Sequence, residues 1–283
     1  MRALSNIRDT DNSSRCAHLP RKRFGQHFLC DSTVIERIIA EIGPSSGDRF
    51  LEIGPGFGAL TRPLLAVVSE MDVVELDRDL LEPLRVHCNS VGQLRIHHAD
   101  ALDFKLSALR SAVEEHRFRV IGNLPYNIST PLLFHLMNQI NHLVDLHFML
   151  QQEVVARIVA GPGEKAYGRL SVMLQYRFLV ESLFKVSPES FKPIPKVWSA
   201  VIRLVPHKNL PVIVSDEQLF ADIVRQAFSQ RRKTVRNSLR GLLKVAQIEA
   251  AGIDPGSRPE TLSLAAFAAL SRSCMTYSKE PHS

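Results

Sequence analysis

Asn123, Leu124, Pro125 and Tyr126 follow, after Gly122, a short apolar run over residues 118–121 of the kind that forms a buried strand. Together they suit one task, holding a planar amine still. The Asn123 amide oxygen can accept one N–H. Pro125 biases Leu124 towards an extended backbone, which leaves the Leu124 carbonyl free to accept another. Tyr126 offers a flat ring on which a heterocycle can stack. The same four residues also fit a strand followed by a proline turn with no ligand, so the segment needs support from elsewhere in the chain.

That support lies upstream. Gly54, Gly56 and Gly58 form a turn between an apolar strand over 49–53 and a helix over 59–68. Such a turn lets backbone approach a ligand closely, with helix N–H groups aimed at it. The next strand, 71–76, carries Glu75, which lies 21 positions after Gly54. That is the spacing at which a carboxylate accepts hydrogen bonds from a ribose diol. A third strand over 95–102 contains Asp100, which can accept from an adenine amine or serve only as a turn or helix cap. Gln26 and His27 sit in the run Arg21-Lys22-Arg23-Phe24-Gly25-Gln26-His27-Phe28-Leu29. Its basic residues suit phosphate, and Gln26 and His27 could reach a polar ligand from a lid-like segment. The His97-His98 pair has no carboxylate or cysteine at ligand spacing, and no metal site is expected.

The elements that must carry these residues alternate. Asp31-Ser32-Thr33 caps a helix with Val34, Ile35, Ile38, Ile39 and Ile42 on its apolar face, closed by Gly43-Pro44. A further strand covers 145–150 and a helix 151–159. After a glycine-rich connector, residues 170–185 read as helix and then strand, and residues 199–205 as a last strand. Between them lies a proline-stiffened loop over 191–198, where Phe191 is either a second stacking surface or a core residue. The alternation predicts an α/β protein with a doubly wound, mostly parallel sheet. From 223 to 248 the chain has seven basic residues (Arg225, Arg231, Arg232, Lys233, Arg236, Arg240 and Lys244) and no acid. Phe228, Val235, Leu239, Leu242 and Leu243 fall between them at helical spacing. This predicts one helix with a cationic stripe suited to a polyphosphate backbone, in a small helical domain over 208–283 that ends in a short helical tail. Residues 21–207 form the α/β domain, and residues 1–20 read as a mobile arm.

A chain of 283 residues with 45% hydrophobic and 23% charged residues has an ordinary soluble composition, and a net charge of +6 points to a polyanionic partner. Four scattered cysteines argue against a disulfide framework and for a reducing compartment. No segment resembles a membrane span or a secretory leader, so a cytoplasmic location is expected.

The linked stretches 23–29, 52–61, 74–77, 123–126, 167–172, 191–197 and 228–237 resemble those of the KsgA-type family of ribosomal RNA adenine dimethyltransferases. The resemblance implies a Rossmann-like methyltransferase domain that uses S-adenosylmethionine and no metal. Gln26, His27, Leu29, Gly54, Gly56, Glu75, Asp100 and Asn123 would bind the donor. Glu75 would take its ribose and Asp100 its adenine amine. Asn123 and Leu124 would grip the target amine, with Tyr126 and Phe191 sandwiching the base. Arg21, Lys22, Arg23, Arg231, Arg232, Lys233 and Arg236 would contact RNA. The implied substrate is two adjacent adenines in a hairpin loop near the 3′ end of small-subunit RNA, in an immature ribosomal particle, modified by a monomeric enzyme. Trp198 stands where this pattern leads one to expect an acid. Three other readings remain open on sequence: a methyltransferase for large-subunit RNA or DNA, a ribosome-assembly or transcription factor without turnover, and a nicotinamide dehydrogenase.

Overall fold

The computed structural model describes residues 26–109, 117–230 and 232–277, so the expectations for residues 1–20, Arg21, Lys22, Arg23 and Arg231 lie outside the described residues. Helix α1 (Ser32–Ile42) begins where the Asp31 side chain accepts from the Thr33 and Val34 N–H groups. It stops at Gly43, whose φ of 55° lets its N–H reach the Ile39 carbonyl. Ile38 and Ile42 are buried, and the other apolar positions of the helix are partly exposed.

Five strands run parallel: β2 (Phe50–Ile53), β3 (Glu70–Glu75), β4 (Gln93–His98), β5 (Phe118–Asn123) and β6 (Leu143–Gln151). Helices α2 (Thr61–Val68), α3 (Arg78–Cys88) and α4 (Ser129–Met137) supply three of the crossovers. All four residues of β2 are buried, as are the first five of β5, because helices cover both faces of such a sheet. β4 ends at His98, so Asp100 lies just beyond the strand rather than within it. With β7 (Phe178–Val186) and β9 (Ser199–Pro206), the sheet order is β4-β3-β2-β5-β6-β9-β7. The chain works outwards from β2 to β4 and then returns to place β5 on the other side of β2. The carboxyl ends of β2 and β5 therefore border a topological switch point, where open α/β sheets bind ligands.

A two-residue strand β1 (Phe28–Leu29) pairs antiparallel with β8 (Phe191–Lys192), in the register Phe28 to Lys192 and Leu29 to Phe191. Two residues carry no periodicity, and the sequence gives no sign of this pair. It ties the segment after the basic run to the start of the proline loop.

Close contacts divide the chain into two compact units, one reaching to Leu150 and resuming over Lys185–Val201, the other formed by Gln151–Phe184 and the chain from Ile202 onwards. The segment after 207 is thus grouped with α5 (Gln152–Val159) and α6 (Arg169–Arg177), a partnership that composition does not announce. The single cationic helix expected over 223–248 is corrected. The chain there forms α7 (Glu217–Ala227), α8 (Val235–Ser238) and α9 (Val245–Ala250), followed by α10 (Leu264–Tyr277). The Val235 and Arg236 N–H groups donate to the carbonyls of Ser257 and Pro255, and Gly241 adopts a φ of 97°, which together divide the run. The apolar positions still point inwards, with Val235, Leu239 and Leu243 buried. Phe228 packs against Tyr167 and Phe267, at ring separations of 6.0 and 5.7 Å.

In the first unit Arg119 is buried and fully engaged. Its Nε donates to Asp145, Nη1 to Asp48 Oδ2 at 2.7 Å, and Nη2 to Asp145 and to the Ile42 carbonyl at 2.6 Å. A charged residue inside a strand reads poorly from sequence, yet here it binds the end of α1 to β5 and β6. Asp145→Ala leaves the guanidinium buried without its main counter-ion and should cost about 3–5 kcal/mol in urea denaturation.

Candidate active site

The turn after β2 brings backbone to the switch point. Gly54 and Gly56 have φ of 66° and 57°, values that side-chain-bearing residues rarely adopt. A Cβ on Gly56 would also meet the Phe28 ring at 3.0 Å. The Gly54 N–H donates to the Val74 carbonyl at 2.9 Å, which holds the turn against β3. At the end of β3, Glu75 is buried and accepts from the Asp77 N–H at 2.8 Å and the Gly56 N–H at 3.3 Å. Burial pushes its carboxyl above the usual range despite these bonds. Gln26 Nε2 donates to Asp77 Oδ2 at 2.8 Å, and Asp77 in turn caps α3. Asp100 makes the turn-type bond its sequence allowed and also stands in the cavity wall. One oxygen accepts from the Leu102 N–H at 2.9 Å, while the residue lines the cavity.

Asn123 is the last residue of β5, and its Nδ2 donates to the His27 carbonyl at 2.8 Å. That bond assigns the amide, so Oδ1 is left without a protein partner among the described residues. The Leu124 N–H donates to the Met149 carbonyl at 3.1 Å, and no N–H among the described residues donates to the Leu124 carbonyl. The Tyr126 hydroxyl lies 3.1 Å from Ser199 Oγ. Its ring stacks on His27 at 5.7 Å and 26°, and His27 Nδ1 is 2.7 Å from the Pro193 carbonyl oxygen, which accepts. Gly122 keeps this edge close-packed, since a Cβ there would meet the Ile53 carbonyl oxygen at 2.5 Å.

These groups line one cavity of about 350 Å³. Gln26, His27, Leu29, Gly54 and Gly56 form part of its wall, and Glu75, Asp100, Asn123, Leu124 and Tyr126 form another part. Phe191 is not among the lining residues. It is 1% exposed and packs as a core residue on β8, so in this structure the expected sandwich has one open ring, Tyr126, and not two. Among the described residues no group of three or more His, Cys, Asp or Glu side chains could hold a metal, and His97 Nε2 instead bonds Asp72 Oδ1 at 2.8 Å. Arg232, Lys233 and Arg236 belong to the other unit and are exposed, and none of them pairs with a carboxylate among the described residues.

Glu52 also lines the cavity and escaped the sequence reading. Its one signal is an acid inside the otherwise apolar strand Phe50-Leu51-Glu52-Ile53. Thr61 Oγ1 donates to it at 2.6 Å, but burial dominates and raises its carboxyl to about 8. The arrangement as a whole offers bare backbone, a buried acid for hydroxyl groups, two oxygen acceptors side by side and an aromatic face. It can seat a nucleoside-bearing molecule and a second planar base with an amine.

A model of the ribosomal RNA adenine dimethylase family matches residues 17–275. A small-subunit ribosomal RNA methyltransferase A of Marinomonas is 54% identical over 250 residues, covering 88% of this chain and 93% of that protein. Its counterpart in Nitrosococcus oceani is 55% identical over 256 residues, covering 90% and 96%. Among solved structures, a dimethyladenosine transferase from Plasmodium falciparum has a TM-score of 0.74 at 23% identity, covering 86% of this chain and 96% of that one. The 23S ribosomal RNA methyltransferase ErmE has a TM-score of 0.69 at 24% identity, covering 88% and 99%. Both structural likenesses bear on the fold, a Rossmann-like methyltransferase architecture.

A carboxyl whose pKa is raised on folding is protonated in the folded chain at pH values where the unfolded chain ionises it. Its contribution to stability is complete below about 4.5 and is lost as pH rises towards about 8. Glu52→Gln should remove that loss. The denaturation midpoints of variant and parent should diverge between pH 5 and 8, in favour of the variant, and parallel curves would refute the burial assigned to Glu52.

Proposed function

The chain belongs to the ribosomal RNA adenine dimethylase family, and from that premise we propose that the cavity between β2 and β5 holds the methyl donor and the target base together. The enzyme is an S-adenosylmethionine-dependent methyltransferase that dimethylates adenine in small-subunit ribosomal RNA. The residues present fit the donor, because the positive φ at Gly54 and Gly56 leaves room for backbone approach and Glu75 offers its carboxyl at the same edge. In this reading Glu75 takes the ribose hydroxyls and Asp100 the adenine amine, while Gln26, His27 and Leu29 close the methionine end. When bound, S-adenosylmethionine supplies a methyl carbon activated by a positively charged sulfur.

The observation that carries the assignment is the anchored amide of Asn123. An adenine amine is a poor nucleophile because its lone pair is delocalised into the ring. Asn123 Oδ1 and the Leu124 carbonyl each accept one of its hydrogens, which turns the lone pair out of the ring plane. Tyr126 stacks on the base and keeps it in register. Orientation of this kind lowers barriers by up to about 7–11 kcal/mol in favourable intramolecular reactions. No side chain is required as base, since the methylated nitrogen is acidic enough to release its proton to water. After the first transfer one hydrogen remains for the two acceptors, and the stack on Tyr126 retains the base for the second. The target adenines are two neighbours in a hairpin loop near the 3′ end of the RNA, extruded to reach the cavity. The substrate particle is an immature small subunit, the enzyme acts as a monomer, and its place is the cytoplasm. Among the described residues no helix is long and apolar enough to cross a membrane.

Asn123→Ala should bind S-adenosylmethionine with the parent affinity by calorimetry while losing at least 100-fold in methyl transfer to undermethylated small subunits. Unchanged turnover would refute the role of the amide. Arg232, Lys233 and Arg236 serve as phosphate contacts in the same proposal. Converting all three to Gln should lower the slope of log affinity against log salt by about 2–3 in a subunit-binding titration.

A further inference from the structure

We propose that Trp198 is the stacking platform for the nucleotide that adjoins the target adenine. The proposal rests on the reading of the cavity given above. Trp198 is the only tryptophan of the chain, and it stands 50% exposed on the proline loop. Ile194 and Val197 beside it are 63% and 42% exposed, and the interleaved Lys192 and Lys196 are also exposed. A single exposed apolar residue needs no explanation. Three within five residues, with lysines at 192 and 196 among and beside them, form the mixture of flat apolar surface and positive charge that single-stranded nucleic acid engages.

The loop is held at both ends by the target-base site. Upstream, β8 pairs with β1, and His27 Nδ1 bonds the Pro193 carbonyl at 2.7 Å while its ring stacks on Tyr126. Downstream, Ser199 is fully buried and its Oγ meets the Tyr126 hydroxyl at 3.1 Å. Trp198 is therefore one peptide unit away from the residue that touches the stacking tyrosine. Successive residues of an extended chain point to opposite sides, so with Ser199 turned inwards Trp198 is turned to solvent, where the RNA strand must run. Pro193 and Pro195 limit the conformations the loop can adopt, which reduces the ordering needed on contact. Extruding one adenine into the cavity deprives its neighbour of a stacking partner, and the indole replaces that surface. Lys192 and Lys196 meet the phosphates on either side.

Because the chain has a single tryptophan, its fluorescence reports on this contact alone. A short single-stranded oligoribonucleotide with two adjacent adenines should quench it, whereas S-adenosylmethionine alone should not. In methyl transfer to undermethylated small subunits, Trp198→Ala should raise KM roughly 5- to 50-fold with kcat changed less than twofold, and Trp198→Phe should recover most of the loss. The affinity of Trp198→Ala for S-adenosylmethionine and its melting temperature should match the parent. A parent-like KM in Trp198→Ala, or an unquenched parent indole, overturns the proposal while methylation itself continues. If Trp198→Ala fails to fold, the quench of the parent indole decides alone, and its absence overturns the proposal. A parent enzyme that transfers no methyl group to the subunits would instead overturn the function on which the proposal rests.

Discussion

The hydrogen bond from Asn123 Nδ2 to the His27 carbonyl determines which end of the amide faces the cavity. Without it the side chain could turn by 180° and present two hydrogens to an amine that itself carries only hydrogens. The bond is made to backbone, and that backbone is fixed because the next two residues pair with Phe191 and Lys192. A two-residue antiparallel contact thus sets the polarity of the site. It also explains why Phe191 is buried: the residue serves the frame that orients Asn123.

The same economy governs the other wall. The two strands that border the switch point approach so closely at Gly122 that no side chain fits between it and the Ile53 carbonyl. Their ends therefore bring the glycine turn and the amide within reach of a single ligand-sized cavity. The carboxyls on this wall, Glu52 and Glu75, are both pushed above the usual carboxylate range, with burial the larger influence in both.

Much of this was legible beforehand, for physical reasons. Buried parallel strands are continuous apolar runs, and the caps at Asp31 and Gly43 delimit their helix without tertiary information. The turn at Gly54 and Gly56 and the position of Glu75 were readable because backbone geometry and crossover length restrict residue choice. What escaped depended on contacts distant in sequence. The pairing of β1 with β8 is too short to leave a periodic trace, and Glu52 resembles any stray acid until Thr61 and the strand's burial are seen. The apolar spacing of the basic run is helical and by itself predicts one helix, whereas carbonyls from Pro255 and Ser257 capture the N–H groups that would have continued it.

The binding mode proposed for the base, with acceptors from Asn123 and Leu124, carries a consequence for fidelity. Both can only accept, so the purine edge they face must donate. Guanine or hypoxanthine presents a carbonyl at that edge, and setting it against two lone-pair donors strands buried acceptors at about 1–3 kcal/mol each. In that binding mode an adenine that has lost its amine by deamination is turned away before any chemistry, and the modification would double as a check that the nucleotide beneath it is still intact.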